Sequence, residues 1–163
     1  MERFEQLRTL GEKTLDQLTD SDVHWSPDPE SNSIAVIVQH LHGNMLSRFT
    51  DFLTSDGEKS DRHRDEEFIE HDLSVTELKD RWSMGWECVF AAIRPLTNAD
   101  LTKEVFIRGE SHTVMEAILR QISHYAYHVG QMVYLGKHLK GQDWKTLSIP
   151  RGQSNQFVTT PFK

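Results

Sequence analysis

The chain has 163 residues, 37% of them hydrophobic and 26% charged, with a formal net charge of −7. That length buries a full core without staples, and the composition is globular rather than disordered. The acidic balance argues against nucleic acid as the main partner, because a phosphate backbone selects clustered Lys and Arg, and the single cysteine, Cys88, excludes an internal disulfide or a zinc site of several thiolates.

Punctuation along the chain predicts four helices in one domain spanning 1–163, with no repeat, low-complexity tract or splitting linker. The first helix is expected over about 2–19. Its opening, MERFEQLRTLGEKTL, interleaves acids and bases and has no apolar signal core, so a cytoplasmic location is expected, and no run approaches the length of a membrane helix. TDSDVHWSPDPESNS then breaks the helix with two prolines and a Ser/Asp/Asn cluster. A second helix starts at the capping residues Ser31 to Ser33 and carries IAVIVQHLHGNMLSRFTDFL to about Leu53. The polar stretch from Ser55 to Asp72 alternates in charge and reads as a solvated loop. Ser74 caps the third helix, with Glu77 placed as in a capping box, and Pro95 closes it. VFIRGESHTV holds two short β-prone pieces about Gly109, the pattern of a small hairpin. The fourth helix runs from near Thr113 to about Leu139, with Gly141 as its stop. The expected fold is therefore all-α, a four-helix bundle with a short hairpin before the last helix, and in such bundles ligand sites are built from side chains on facing helices.

The last helix contains HYAYH, which puts His124 and His128 four residues apart. Nine histidines scattered at random would give roughly half such a pair per chain, so spacing alone decides little. Placement says more. On a helical wheel Met115, Ile118, Ile122, Tyr125, Val129 and Met132 share an apolar stripe, and the two histidines stand about a quarter-turn from it, on the shoulder of the buried face. The second helix repeats the arrangement: Ile34, Ile37, Val38, Leu41, Met45, Phe49 and Phe52 form its stripe, and His40 takes the shoulder with Asn44 and Ser47, while His42 projects elsewhere. Three histidines on two facing helices would give a divalent ion three neutral nitrogen ligands and leave a position open, the catalytic rather than the structural pattern. The competing reading is three buried histidines satisfied by hydrogen bonds.

Together, SIAVIVQHLHGN in the second helix and HYAYHVGQ in the last resemble the DinB/YfiT-like family, whose pattern joins one His in the second helix to a late H-x-x-x-H followed by G-Q. Here these are His40, His124, His128, Gly130 and Gln131, and GNMLSRFTDFLTSDGEK, DRHRDEEF and LSIPRGQS resemble an uncharacterised branch of that family. The resemblance implies a four-helix bundle, commonly a homodimer, with one nickel or zinc ion on the three histidines. It further implies a small-molecule substrate and either transfer of a low-molecular-weight thiol of the bacillithiol or mycothiol kind, or metal-dependent hydrolysis by an activated water. A metal-binding dimer module without turnover is the third reading. No H-E-x-x-H is present, and Glu116 faces away from the His stripe, which weakens a protease.

Thiol transfer needs cationic groups for an anionic thiol. Arg48, two turns beyond His40 or about 12 Å along the axis, is one candidate, with an internal salt bridge to Asp65 or Glu66 as its alternative role. Asn44 is a candidate substrate contact one turn after His40, and Arg151 in IPRGQSNQF is a third, reaching over the cavity or to a second subunit. Cys88 reads as a buried structural thiol, Trp82, Trp86 and Trp144 as core or interface anchors, and His112 as an exposed loop histidine.

Overall fold

The computed structural model describes residues 1–156; Phe157, the last residue of the IPRGQSNQF stretch, lies outside the described residues. The described chain is mostly helical. Its α-helices are α1 (Glu2–Leu15), the single turn α2 (Asp20–Val23), α3 (Ile34–Phe49), α4 (Val75–Ile93) and α5 (Val114–Lys140), and its one small sheet pairs β1 (Glu104–Ile107) with β2 (Glu110–Thr113).

Side-chain caps fix the start of every α-helix but α1. The Ser33 hydroxyl accepts the Val36 N–H at 3.1 Å to open α3. Ser74 with Glu77 and Thr113 with Glu116 form reciprocal capping boxes at the heads of α4 and α5. The latter occupies Glu116 with the Thr113 amide and hydroxyl, away from the histidines. Two helices end sooner than their apolar periodicity suggests. α1 stops at Leu15, because Thr19 and Asp22 form a capping box of their own and start α2. α3 stops at Phe49, where Thr50 turns extended and Asp51 takes φ 49°. Phe52 therefore leaves the helical stripe and packs half-buried on the Phe49 ring, 5.2 Å away between centroids. Met115, also expected inside, is 43% exposed. The first turn of α5 is covered from the other side, where Val105 and Ile107 of the hairpin pack on Val114 and Ala117.

α3 lies along α4 and also meets α5, while α1 lies against α5 and α4. The core between them centres on aromatic rings: Trp86 contacts Phe4, Trp82 and Tyr125 with centroids 5.9, 5.6 and 5.6 Å away. Trp82 comes close enough to α1 that a Cβ at Gly11 would lie 2.1 Å from its ring, and its indole N–H donates to the Arg8 carbonyl at 3.2 Å. Trp144 is half-buried against Gly136. Cys88 is partly buried beside the Met45 carbonyl. Among the described residues, no helix is long and apolar enough to cross a membrane.

The segment between α3 and α4 is more ordered than its composition suggests. It contains a 3-10 turn, Arg64–Phe68, that packs on α3. The hairpin turn is equally specific: Arg108 and Gly109 have φ of 58° and 74°, and Asp56 accepts both of their backbone N–H groups at 2.9 and 2.7 Å. A two-residue turn with both φ positive matches the twist of the flanking strands, and Asn or Gly normally fills its first position. Asp56 holds an arginine there instead.

Candidate metal centre

α3 and α5 bring His40, His124 and His128 together. Their ring centroids are 4.9 to 5.2 Å apart in every pairing. One nitrogen from each ring lies within 4.8 Å of the other two, and among the described residues this is the one cluster of three or more His, Cys, Asp or Glu ligand atoms so placed. The closest pair, His40 Nε2 and His124 Nε2, is 3.2 Å apart. Two nitrogens each about 2.0–2.1 Å from a tetrahedral zinc ion stand about 3.3 Å from one another, so this separation fits a shared ion.

The other ring nitrogens hold the imidazoles in position. His40 Nδ1 donates to Glu67 Oε2 at 2.8 Å, which leaves the Nε2 lone pair facing its two neighbours. Glu67 is in turn gripped by the Arg62 guanidinium through two parallel bonds of 2.7 and 2.8 Å. His128 Nδ1 donates to Gln131 Oε1, one turn on, also at 2.8 Å. Glu67 can reach His40 because the next turn of α3 carries Gly43: a Cβ there would be 2.3 Å from Glu67 Oε1.

Electrostatics favour neutral ligands. Burial first, then the charges of His128, His40, Arg48 and Arg62, push His124 down to about 3. Burial likewise pushes His128 down to about 4, against its hydrogen bond to Gln131. Glu67 moves the opposite way for a buried acid: burial raises it, but its hydrogen bonds to His40 and Arg62 outweigh that and hold it below the usual carboxylate range. The result is an ionised carboxylate against His40 and free imidazole lone pairs on α5, the donor set a divalent ion takes.

A cavity of about 560 Å³ opens onto the three rings. Its walls include Asn44, Arg48 and Gln121, the 3-10 turn supplies Arg64 and Phe68, and Arg62, Arg108, Arg120 and Tyr127 complete much of the rest. Asn44 is buried and accepts the Tyr125 hydroxyl at 3.2 Å. Arg48 faces the same cavity and is also ion-paired, though to Glu58 at 2.8 Å and the Gly57 carbonyl rather than to Asp65 or Glu66. Arg151 is exposed on a turn of the tail and is not among the lining residues. His112 is partly buried on β2, its Nε2 enclosed without a partner, in place of the exposed loop position expected for it. His42 turns from the site and bonds the Arg81 carbonyl at 2.9 Å. A second cleft of about 570 Å³, with His42, His63 and His71 on its walls, assembles no such cluster among the described residues.

Sequence reasoning missed Glu67, Arg62 and the remaining arginines of the cavity. Their available signal was Gly43, a helix-weakening residue one turn from His40, and the density of arginine in DRHRDEEF.

No curated protein and no solved structure matches the chain. A family of DinB/YfiT-like type, described as "Protein of unknown function (DUF1572)", matches residues 1–153, and the chain belongs to it.

Proposed function

We propose that this chain is a metal-dependent enzyme built on a DinB-like four-helix bundle, with His40, His124 and His128 holding one nickel or zinc ion, and that it transfers a low-molecular-weight thiol to an electrophilic small molecule. The observation that carries the reading is the three-histidine cluster at the end of a cation-lined cavity. A divalent ion on three imidazoles keeps a position open and would lower the pKa of a thiol or water bound there. The protein's own part is positioning. Glu67 and Gln131 orient the rings, Asn44 and Gln121 offer polar contacts on the walls, and the arginines attract a ligand bearing negative charge.

Transfer is favoured over hydrolysis by the lining itself. Among the described residues no Asp or Glu faces the cavity, and the nearest acid to the histidines, Glu67, is consumed by Arg62 and His40. A thiol or a water could each ionise at the metal without such a base, but hydrolysis of an ester or amide also needs a group to protonate its leaving alkoxide or amine, and the lining offers no carboxylate for it. The test is a paired assay on protein loaded with nickel or zinc: conjugation of an electrophile with bacillithiol, mycothiol or glutathione, beside hydrolysis of simple esters and amides without thiol. Thiol-dependent conjugation that disappears in His124→Ala is the expected result. Hydrolysis without thiol, lost in the same variant, would replace transfer with the hydrolase reading.

A further inference from the structure

The geometry points to a dianion-binding subsite in the outer part of the histidine cavity, formed by Arg64, Arg108 and Arg120 and taking a small molecule that carries a phosphate monoester or a dicarboxylate. It rests on the proposed function only in assigning the inner end of that ligand to the metal.

The first observation is convergence. Three arginines from three separate segments, the 3-10 turn, the hairpin turn and α5, line one space of about 560 Å³. Guanidinium forks arriving from different directions match the several oxygens of a phosphate or a pair of carboxylates, which one fork on one helix would not. The volume suits a small organic ligand and is too small for a protein or nucleic-acid partner to fill.

The second observation is charge. Two carboxylates outside the lining, Glu58 and Glu67, serve three of its guanidiniums: Arg48, Arg62 and Arg108. Arg64 has only solvated Asp65 at 3.6 Å, and among the described residues Arg120 has no carboxylate within salt-bridge distance. Arg64, Arg108 and Arg120 are exposed on the rim of the cavity, and there the guanidiniums outnumber the carboxylates that pair with them, in a chain whose net charge is −7. A surface cluster of like charge normally dissipates into solvent or finds acids, and this acidic chain places none in the lining among its described residues.

The third is the wall. Gln121 is 3% exposed and its amide oxygen has no hydrogen-bond partner, and Arg48, 6% exposed, has its Nε–H enclosed without one. Of the five such atoms among the described residues, the other three on Gln39, Trp86 and His112, these two lie on residues of this cavity wall: the Arg48 N–H can donate to a bound anion, and the Gln121 amide can turn its N–H group toward one. Arg108 adds a backbone argument: it sits at φ 58° in a turn position that favours Asn or Gly, held by Asp56, and that position delivers its side chain to the cavity.

The experiment is isothermal titration calorimetry on the full chain, metal-loaded and metal-stripped, at constant ionic strength, with inorganic phosphate and succinate as probes and chloride as the monovalent control. Saturable binding of at least one dianion to both forms is expected, weakened about tenfold or more in Arg120→Ala and Arg64→Ala, as for loss of a charge-assisted hydrogen bond, with metal content unchanged. Which probe binds more tightly separates the phosphate from the dicarboxylate class. The inference is overturned if neither dianion binds, if both variants bind as wild type does, or if binding vanishes with the metal, which would put the anion on the ion alone. Dianion binding by a chain that takes up no metal would uphold this subsite and remove the metal from the proposed function.

Discussion

At the scale of single residues, hydrogen bonds fix which nitrogen of His40 and of His128 carries a proton. Glu67 claims the His40 Nδ1–H and Gln131 that of His128, so the remaining nitrogens turn inward as acceptors. The same burial has a measurable consequence in metal-free protein. Folded His124 and His128 stay neutral down to about 3 and about 4, against an ordinary value of 6.5. Below about pH 6.5 the unfolded chain binds protons on these residues that the folded chain refuses, so stability falls with falling pH across that window, and the loss levels off only below about 3, where folded His124 also takes up its proton. Carboxylates titrate in the lower part of the window too, so the diagnostic is a difference. Thermal midpoints scanned from pH 7.5 to 4.5 should fall more steeply for stripped wild type than for His124→Gln, because the variant lacks one of the refused protons. Parallel curves would mean that His124 titrates normally. The three histidines were legible in the sequence from i, i+4 spacing and a shared shoulder on two apolar stripes. Glu67 was not, because it stands 27 residues from His40 in a segment whose alternating charges resemble a solvated loop.

Among the elements, α3 shows how a helix is shaped by the segment that covers it. Gly43 weakens the helix intrinsically by about 1 kcal/mol relative to Ala, yet its missing Cβ is where Glu67 lies. Gly43→Ala should thus improve helix propensity while displacing the carboxylate, and metal affinity should fall about 10- to 100-fold, the usual cost of losing such an orienting partner. Affinity measured by competition with a chromophoric chelator reads this out; unchanged affinity would show that Glu67 does not control His40. Helix starts were readable, since Ser33, Ser74 and Thr113 are side-chain caps with local signatures. Ends were less so. Phe52 continues the apolar period of α3 beyond its last turn, but extended Thr50 and left-handed Asp51 stop the helix before it. The hairpin was legible about Gly109, but its role was not: β1 and β2 supply the second apolar cluster over the start of α5 and deliver Arg108 to the cavity.

For the molecule as a whole, the informative contrast is between an acidic chain and a cavity lined by five arginines. The net charge of −7 contrasts with the arginine density around the three histidines, which is local to the cavity. Composition could not show this, because Arg48, Arg62, Arg64, Arg108 and Arg120 are dispersed in sequence and meet only when the segment after α3, the hairpin and α5 fold onto one another. The central claim is that this meeting point holds a metal. It is tested most directly by elemental analysis of protein purified without a metal-affinity tag, wild type beside His128→Ala. About one zinc or nickel per chain in wild type and none in the variant is the predicted result. Wild type without metal even after incubation with either ion, or equal metal in both proteins, would contradict it.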